Sequence, residues 1–177
     1  AVGVIFLCRG IGLKGKMGFS SPRPWTAVLL SWPLALFVFV NLPEGFPGFA
    51  ALAPSFSTPR PYILVLFALS VGLIEETLCR SLVCGVLIRK WGEDRTGRYR
   101  VALVSGLLFG ISHIGNFFMY DYRPLASATQ IVFAMFFGVF FYALYYRTGS
   151  IVPGIVLHAL VDLSANLDVL FPGAMPI

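Results

Sequence analysis

An all-α, polytopic transmembrane helix bundle with a buried polar site is the fold this sequence predicts, on three observations. Of 177 residues, 58% are hydrophobic and 12% charged, and the mean hydropathy is +0.84. Soluble domains carry about 25% charge, and a small one leaves too much of its surface wet to hide this many apolar side chains. The apolar residues form long runs without strand-like alternation, which in lipid favours helices, because a helix satisfies its own backbone groups. A few ionisable residues stand inside those runs, where they are costly and face a bundle interior.

Residues 1–8 are apolar but too short to span, and lack the basic start and cleavage site of a signal peptide. They are expected to end a span that begins outside this sequence. Five complete apolar segments follow, at roughly 25–42, 61–88, 101–118, 127–146 and 151–171, each near the ~20 residues that cross a bilayer. Segment 61–88 is longer than a straight crossing needs, so a tilt or bend is expected there. Pro43, Pro47, Pro54 and Pro59 make the stretch between the first two segments an irregular loop. The chain divides accordingly into a partial span and polar loop (1–24), a span with its following loop (25–60) and a core (61–177).

Basic residues orient the segments. The linkers on one side carry Arg9, Lys14, Lys16, Arg23, Arg89, Lys90, Arg95, Arg98, Arg100 and Arg147; those on the other carry only Arg60 and Arg123. This asymmetry places the first set in the cytoplasm. The net charge of +5 therefore reads as a topology signal, and no nucleic-acid partner is expected. The 89–100 loop can also attract anionic headgroups, and Tyr120, Asp121, Tyr122 and the Phe-rich run 133–141 read as interfacial anchors and lipid-facing or packing surface. Cys8, Cys79 and Cys84 show no metal or disulfide spacing and read as small buried side chains.

The ionisable residues within the segments are the candidate site. Glu76 and Arg80, four apart, share a helix face and can pair. Glu75 lies about 100° round the helix, so one carboxylate can be held by arginine while the other stays free for chemistry. A structural ion-pair network is the plainer alternative for Glu76 and Arg80. The two histidines of the chain, His113 and His158, both lie in apolar segments, and Asp162 stands four residues beyond His158, where it can orient the imidazole or, protonated, donate to a substrate oxygen. Counted from the cytoplasmic ends of the segments, Glu75 lies about 20 Å deep, His113 about 18 Å and His158 about 12 Å. The expectation is a site in the middle-to-cytoplasmic half of the bilayer.

Three motifs stand on three separate segments: Glu75-Glu76-x-x-x-Arg80, Phe109-x-x-x-His113 and His158-x-x-x-Asp162. Together they resemble the EExxxR, FxxxH and HxxxN/D motifs of the CAAX-protease and bacteriocin-processing (CPBP, or Abi) family, and the stretch 146–158 is similar to that family's lead-in to the third motif. The resemblance covers residues 61–170. It implies an intramembrane glutamate endopeptidase without metal or other cofactor. Glu75 would be the general base, His113 would orient or polarise the water, and His158 with Asp162 would stabilise the oxyanion. Glu76 and Arg80 would fix the geometry of the first motif, and Phe109 would support the second. The third motif often ends in Asn, and an ionised Asp162 would repel an oxyanion, so its donor role requires a proton or a partner.

The implied substrate is a membrane-associated protein or peptide precursor, prenylated CAAX proteins included, cut near its C-terminus in a bacterial cytoplasmic membrane, with lipid as the surrounding partner. Donors in a dry cavity stabilise developing negative charge far better than they do in water. Two other readings compete: a zinc hydrolase using Glu75, His113 and His158, and a non-catalytic scaffold, immunity protein or proton-relaying transporter that keeps the same polar network.

Overall fold

The computed structural model describes residues 2–13, 18–20, 23–42, 46, 48–119 and 124–171. Its described residues form helices and no strands. Helix α1 spans Val2–Gly10 and α2 spans Pro24–Val40. Helix α3 runs over Arg60–Trp91, α4 over Arg95–Ser112, α5 over Gly115–Met119, α6 over Pro124–Thr148 and α7 over Val152–Ala165. Three helices are long and apolar enough to cross a membrane: Arg60–Trp91, Arg95–Phe118 and Pro124–Thr148. The first and last of the five expected segments form shorter apolar helices, Trp25–Val40 and Val152–Ala165. Helix α7 gives way to a 3₁₀ turn at Leu167–Leu170. The proline-rich stretch holds a 3₁₀ helix, Phe49–Ser57, which shallow local turns can form where Pro54 and its neighbours cannot extend an α-helix. Lys14, Lys16, Pro43, Pro47, Tyr120, Asp121, Tyr122 and Arg123 lie outside the described residues.

A π-helical stretch, Thr77–Val83, lies in the middle of α3. The amide of Cys84 donates to the carbonyl of Cys79, five residues back. Such a wide turn recurs at functional sites because it re-aims side chains without ending the helix. Here it directly follows Glu75 and Glu76. At the end of α3, Gly92 takes φ +78°, a value that favours glycine, and the Asp94 carboxylate then accepts from the Gly97 amide at 3.1 Å to cap α4. These features make the short α3–α4 hairpin.

Glycine sets the helix contacts. Gly106 and Gly110 face α6: a Cβ on Gly106 would lie 2.8 Å from the Met135 carbonyl, and one on Gly110 2.7 Å from that of Ile131. Gly138 returns the contact, 2.7 Å from the Gly106 Cα. Small residues four apart let two backbones approach where lipid gives little hydrophobic drive for association. Gly72 does the same for α3 and α7, where a Cβ would meet the Ile155 carbonyl at 2.9 Å. Leu34, Phe141, Leu144 and Leu157 join α2, α6 and α7 in one buried cluster.

Candidate active site

Glu76 and Arg80 sit side by side at the centre of the bundle, both with 0% exposed side chains, with Nε 3.0 Å from Oε2. A buried arginine needs its charge matched. Beyond the carboxylate it meets two aromatic faces, with its guanidinium carbon 4.9 Å from the Phe109 ring centre and 5.3 Å from that of Phe141, which a flat cation favours. Glu75, one residue earlier and a third of a turn round, keeps 32% of its side chain exposed. The two neighbouring carboxylates are therefore divided as their helical offset requires: one committed to arginine, the other open.

The committed carboxylate also reaches across to α7. Oε1 of Glu76 accepts from Nδ1 of His158 at 3.2 Å. This approach is possible because Gly154, one turn earlier on α7, has no side chain; a Cβ there would lie 2.9 Å from Glu76 Oε2. Phe141 stacks on the imidazole with centroids 5.6 Å apart and planes 9° from parallel. With its plane set by Phe141 and its Nδ1 by Glu76, His158 aims Nε2 at two further carboxylates. Glu75 Oε2 and Asp162 Oδ2 each lie 3.8 Å from it. Neither oxygen has a hydrogen-bond partner among the described residues.

His113 follows the last residue of α4. Its Nδ1 donates to the Phe109 carbonyl at 2.8 Å, which satisfies one of the carbonyls that a helix end leaves open. In the tautomer that carries its proton on Nδ1, Nε2 is an acceptor. Phe109 makes edge contacts with both imidazoles, 5.1 Å from His113 and 5.9 Å from His158. Both histidines and Asp162 line one cavity of about 600 Å³, together with Phe37, Phe133 and Phe137. The structure therefore draws Glu75, Glu76, Arg80, Phe109, His158 and Asp162 into direct contact. His113 shares the cavity with Phe109, His158 and Asp162, whereas Glu75 is not among the residues that line it, and His113 makes no direct ion pair to Glu75 among the described residues. Nor do three His, Cys, Asp or Glu side chains gather at metal-binding spacing among the described residues, so the zinc set of Glu75, His113 and His158 is not assembled in this arrangement.

Phe141, in the Phe-rich run read as lipid-facing or packing surface, packs inward: it is buried and touches both Arg80 and His158; a uniformly apolar helix carries no periodic signal for which phenylalanine faces inward. The cavity is lined by the C-terminal parts of α2, α4 and α7 and by the N-terminal part of α6.

A family model described as Rce1-like, type II CAAX prenyl endopeptidase Rce1-like, matches residues 56–164. That stretch contains all seven residues of the three motifs. No curated protein and no solved structure matches the chain.

Proposed function

The chain belongs to the Rce1-like family of type II CAAX prenyl endopeptidases and is a CAAX-type membrane endopeptidase; from that premise we propose that it hydrolyses a peptide bond with water activated by Glu75. One observation carries the assignment. The Nε2 of His158, fixed from behind by Glu76, faces an open carboxylate and a second acid, each at 3.8 Å.

In this mechanism Glu75 takes a proton from water as the water oxygen bonds to the scissile carbonyl carbon. The Nε2 of His113 accepts the second O–H of that water and turns its lone pair to the carbonyl. The carbonyl oxygen becomes an oxyanion, and His158 and Asp162 donate to it. His158 already gives its Nδ1 proton to Glu76, so donation from Nε2 requires the imidazolium, balanced by the carboxylates around it. Asp162 donates as the acid. The tetrahedral intermediate then collapses, the C–N bond breaks, and Glu75 returns its proton to the leaving amine. Such a base contributes typically about 10²–10⁴-fold to rate, and oxyanion donors about 10²–10³-fold each. The substrate is a membrane-associated protein or peptide precursor cut near its C-terminus.

Glu75→Gln tests this reading, because it keeps side-chain volume and removes the base. Comparative proteomics of membrane-protein termini, in cells with the wild-type chain and with Glu75→Gln at equal abundance, is expected to show cleaved termini that vanish in the variant. Cleavage that persists in the variant removes Glu75 as the base. Cleavage abolished by metal chelators restores the zinc reading.

A further inference from the structure

The middle of the cavity is a phenylalanine belt. Phe37 of α2 packs on Phe133 and Phe137 of α6, with ring centres 6.0 and 5.0 Å apart. Leu34, one turn earlier on α2, packs in the cluster of Phe141 and Leu144, farther along α6. The two helices therefore run antiparallel. Asn41 stands one turn beyond Phe37, and Gln130 one turn before Phe133, so the antiparallel pairing brings both amides to the same end of the belt. Both line the cavity and both are half-buried.

The other polar side chains of this lining have their tasks. His113, His158 and Asp162 belong to the motifs, and the Thr129 hydroxyl donates to the Leu125 carbonyl at 2.8 Å. Asn41 and Gln130 are each only half used. The Asn41 NH2 group donates to the Val161 carbonyl and to Ser164 Oγ, both at 3.3 Å. A carbonyl can only accept, so this contact fixes which end of the amide is nitrogen and leaves Oδ1 as an acceptor. Oε1 of Gln130 accepts from the Asn116 NH2 group at 3.2 Å, which leaves the Gln130 NH2 group as a donor. Neither remaining group has a hydrogen-bond partner among the described residues.

A cavity that took only a hydrocarbon tail would need neither group. A peptide chain needs both, because each residue carries one N–H and one carbonyl, and stripping either of water without a new partner is costly. A few polar groups set in an apolar wall also fix how a ligand lies. We propose that Asn41 and Gln130 hold the main chain of the substrate. Oδ1 of Asn41 accepts a peptide N–H, the Gln130 amide donates to a peptide carbonyl, and an apolar group of the substrate lies among Phe37, Phe133 and Phe137. This step rests on the peptidase reading above and narrows its substrate to an extended, unfolded segment with its peptide groups free.

Binding is tested apart from catalysis, in the full chain carrying Glu75→Gln in lipid nanodiscs. The probe is a fluorescent, terminally blocked hexapeptide of alternating leucine and alanine, read by anisotropy against empty discs. Two changes remove the proposed bonds one at a time. Gln130→Glu keeps the acceptor that Asn116 uses and loses the donor. An ester counterpart of the peptide loses the N–H groups that Asn41 accepts and alters no residue of the protein. Each change is expected to weaken binding about tenfold, with the thermal midpoint of Gln130→Glu unchanged. Asn41→Ala is expected to bind ester and amide peptides alike. Binding that neither change weakens, or no binding beyond that of empty discs, overturns the proposal; so does a lowered midpoint of Gln130→Glu with unchanged binding. Where Gln130→Glu loses both, the ester peptide decides. If no terminus in cells depends on Glu75, the peptidase reading fails while the binding measurements still decide the peptide site.

Discussion

Asp162 is the residue where this chain departs from the commoner asparagine, and it is where donor and acceptor chemistry part. An oxyanion needs a donor, and a carboxyl donates only while it holds its proton, whereas an amide donates at every pH. Asp162→Asn is therefore expected to retain cleavage and to extend its pH profile to the alkaline side, measured as rate against pH with a peptide drawn from the dependent termini. Asp162→Ala is expected to lose about 10²–10³-fold in rate with unchanged folding. Equal profiles for the parent chain and Asp162→Asn would mean that the residue does not donate. Glu76 answers to a different demand. Removing it leaves Arg80 and the Nδ1 of His158 buried without their carboxylate. Glu76→Ala is expected to cost about 3–5 kcal/mol of stability, read as a lowered thermal midpoint in detergent, whereas Glu75→Gln leaves the midpoint near that of the parent. The residues that carry these roles were legible because an ionisable group inside an apolar run has few explanations. Phe141 was not: among many phenylalanines in one helix, only the packing shows which one lies on His158.

Helix contacts explain how side chains from three segments meet. The α3–α7 contact closes on Gly72 and Gly154, and the α4–α6 contact on Gly106, Gly110 and Gly138. Gly154→Ala puts a methyl group 2.9 Å from the Glu76 carboxylate, so it is expected to displace the Glu76–His158 bond and reduce cleavage more than stability. Gly138→Ala meets the backbone of α4 at 2.7 Å, far from a flexible atom, and is expected to cost about 1–3 kcal/mol as overpacking. Activity and thermal midpoint, measured together on both variants, separate the two effects; equal losses of both in each would mean that the glycines only pack. The segments were readable from hydropathy. The π-turn in α3 was not readable, because an extra residue in a turn depends on the neighbours that reward it, here Arg80 reaching Glu76 between two phenyl rings. Nor was the true start of α4 at Arg95, since a cap made by Asp94 lies in a polar stretch that hydropathy assigns to the linker.

At the scale of the whole molecule, polarity is inverted relative to a soluble protein. A charged pair, Glu76 and Arg80 at 0% exposure, is buried at the centre, while large apolar side chains cover the outside, such as Phe136 at 69%, Leu103 at 66% and Leu66 at 67%. In water such a surface would drive association; in a bilayer it is solvated by acyl chains, and the polar centre is the part that must be satisfied internally. The two layers should therefore respond oppositely to a charge. Phe136 stands near the middle of α6 and faces outward, so Phe136→Lys sets an ammonium against hydrocarbon at a cost of about 2.5–3.5 kcal/mol on insertion scales. Thr96→Lys places the same charge on the exposed first turn of α4, beside Arg95, Arg98 and Arg100. Membrane-inserted abundance, measured after an alkaline wash of the membranes, is expected to fall strongly for Phe136→Lys and to stay at the parent level for Thr96→Lys. Undiminished insertion of Phe136→Lys would mean that this face of α6 does not meet lipid, and that another polypeptide or a water-filled cleft covers it.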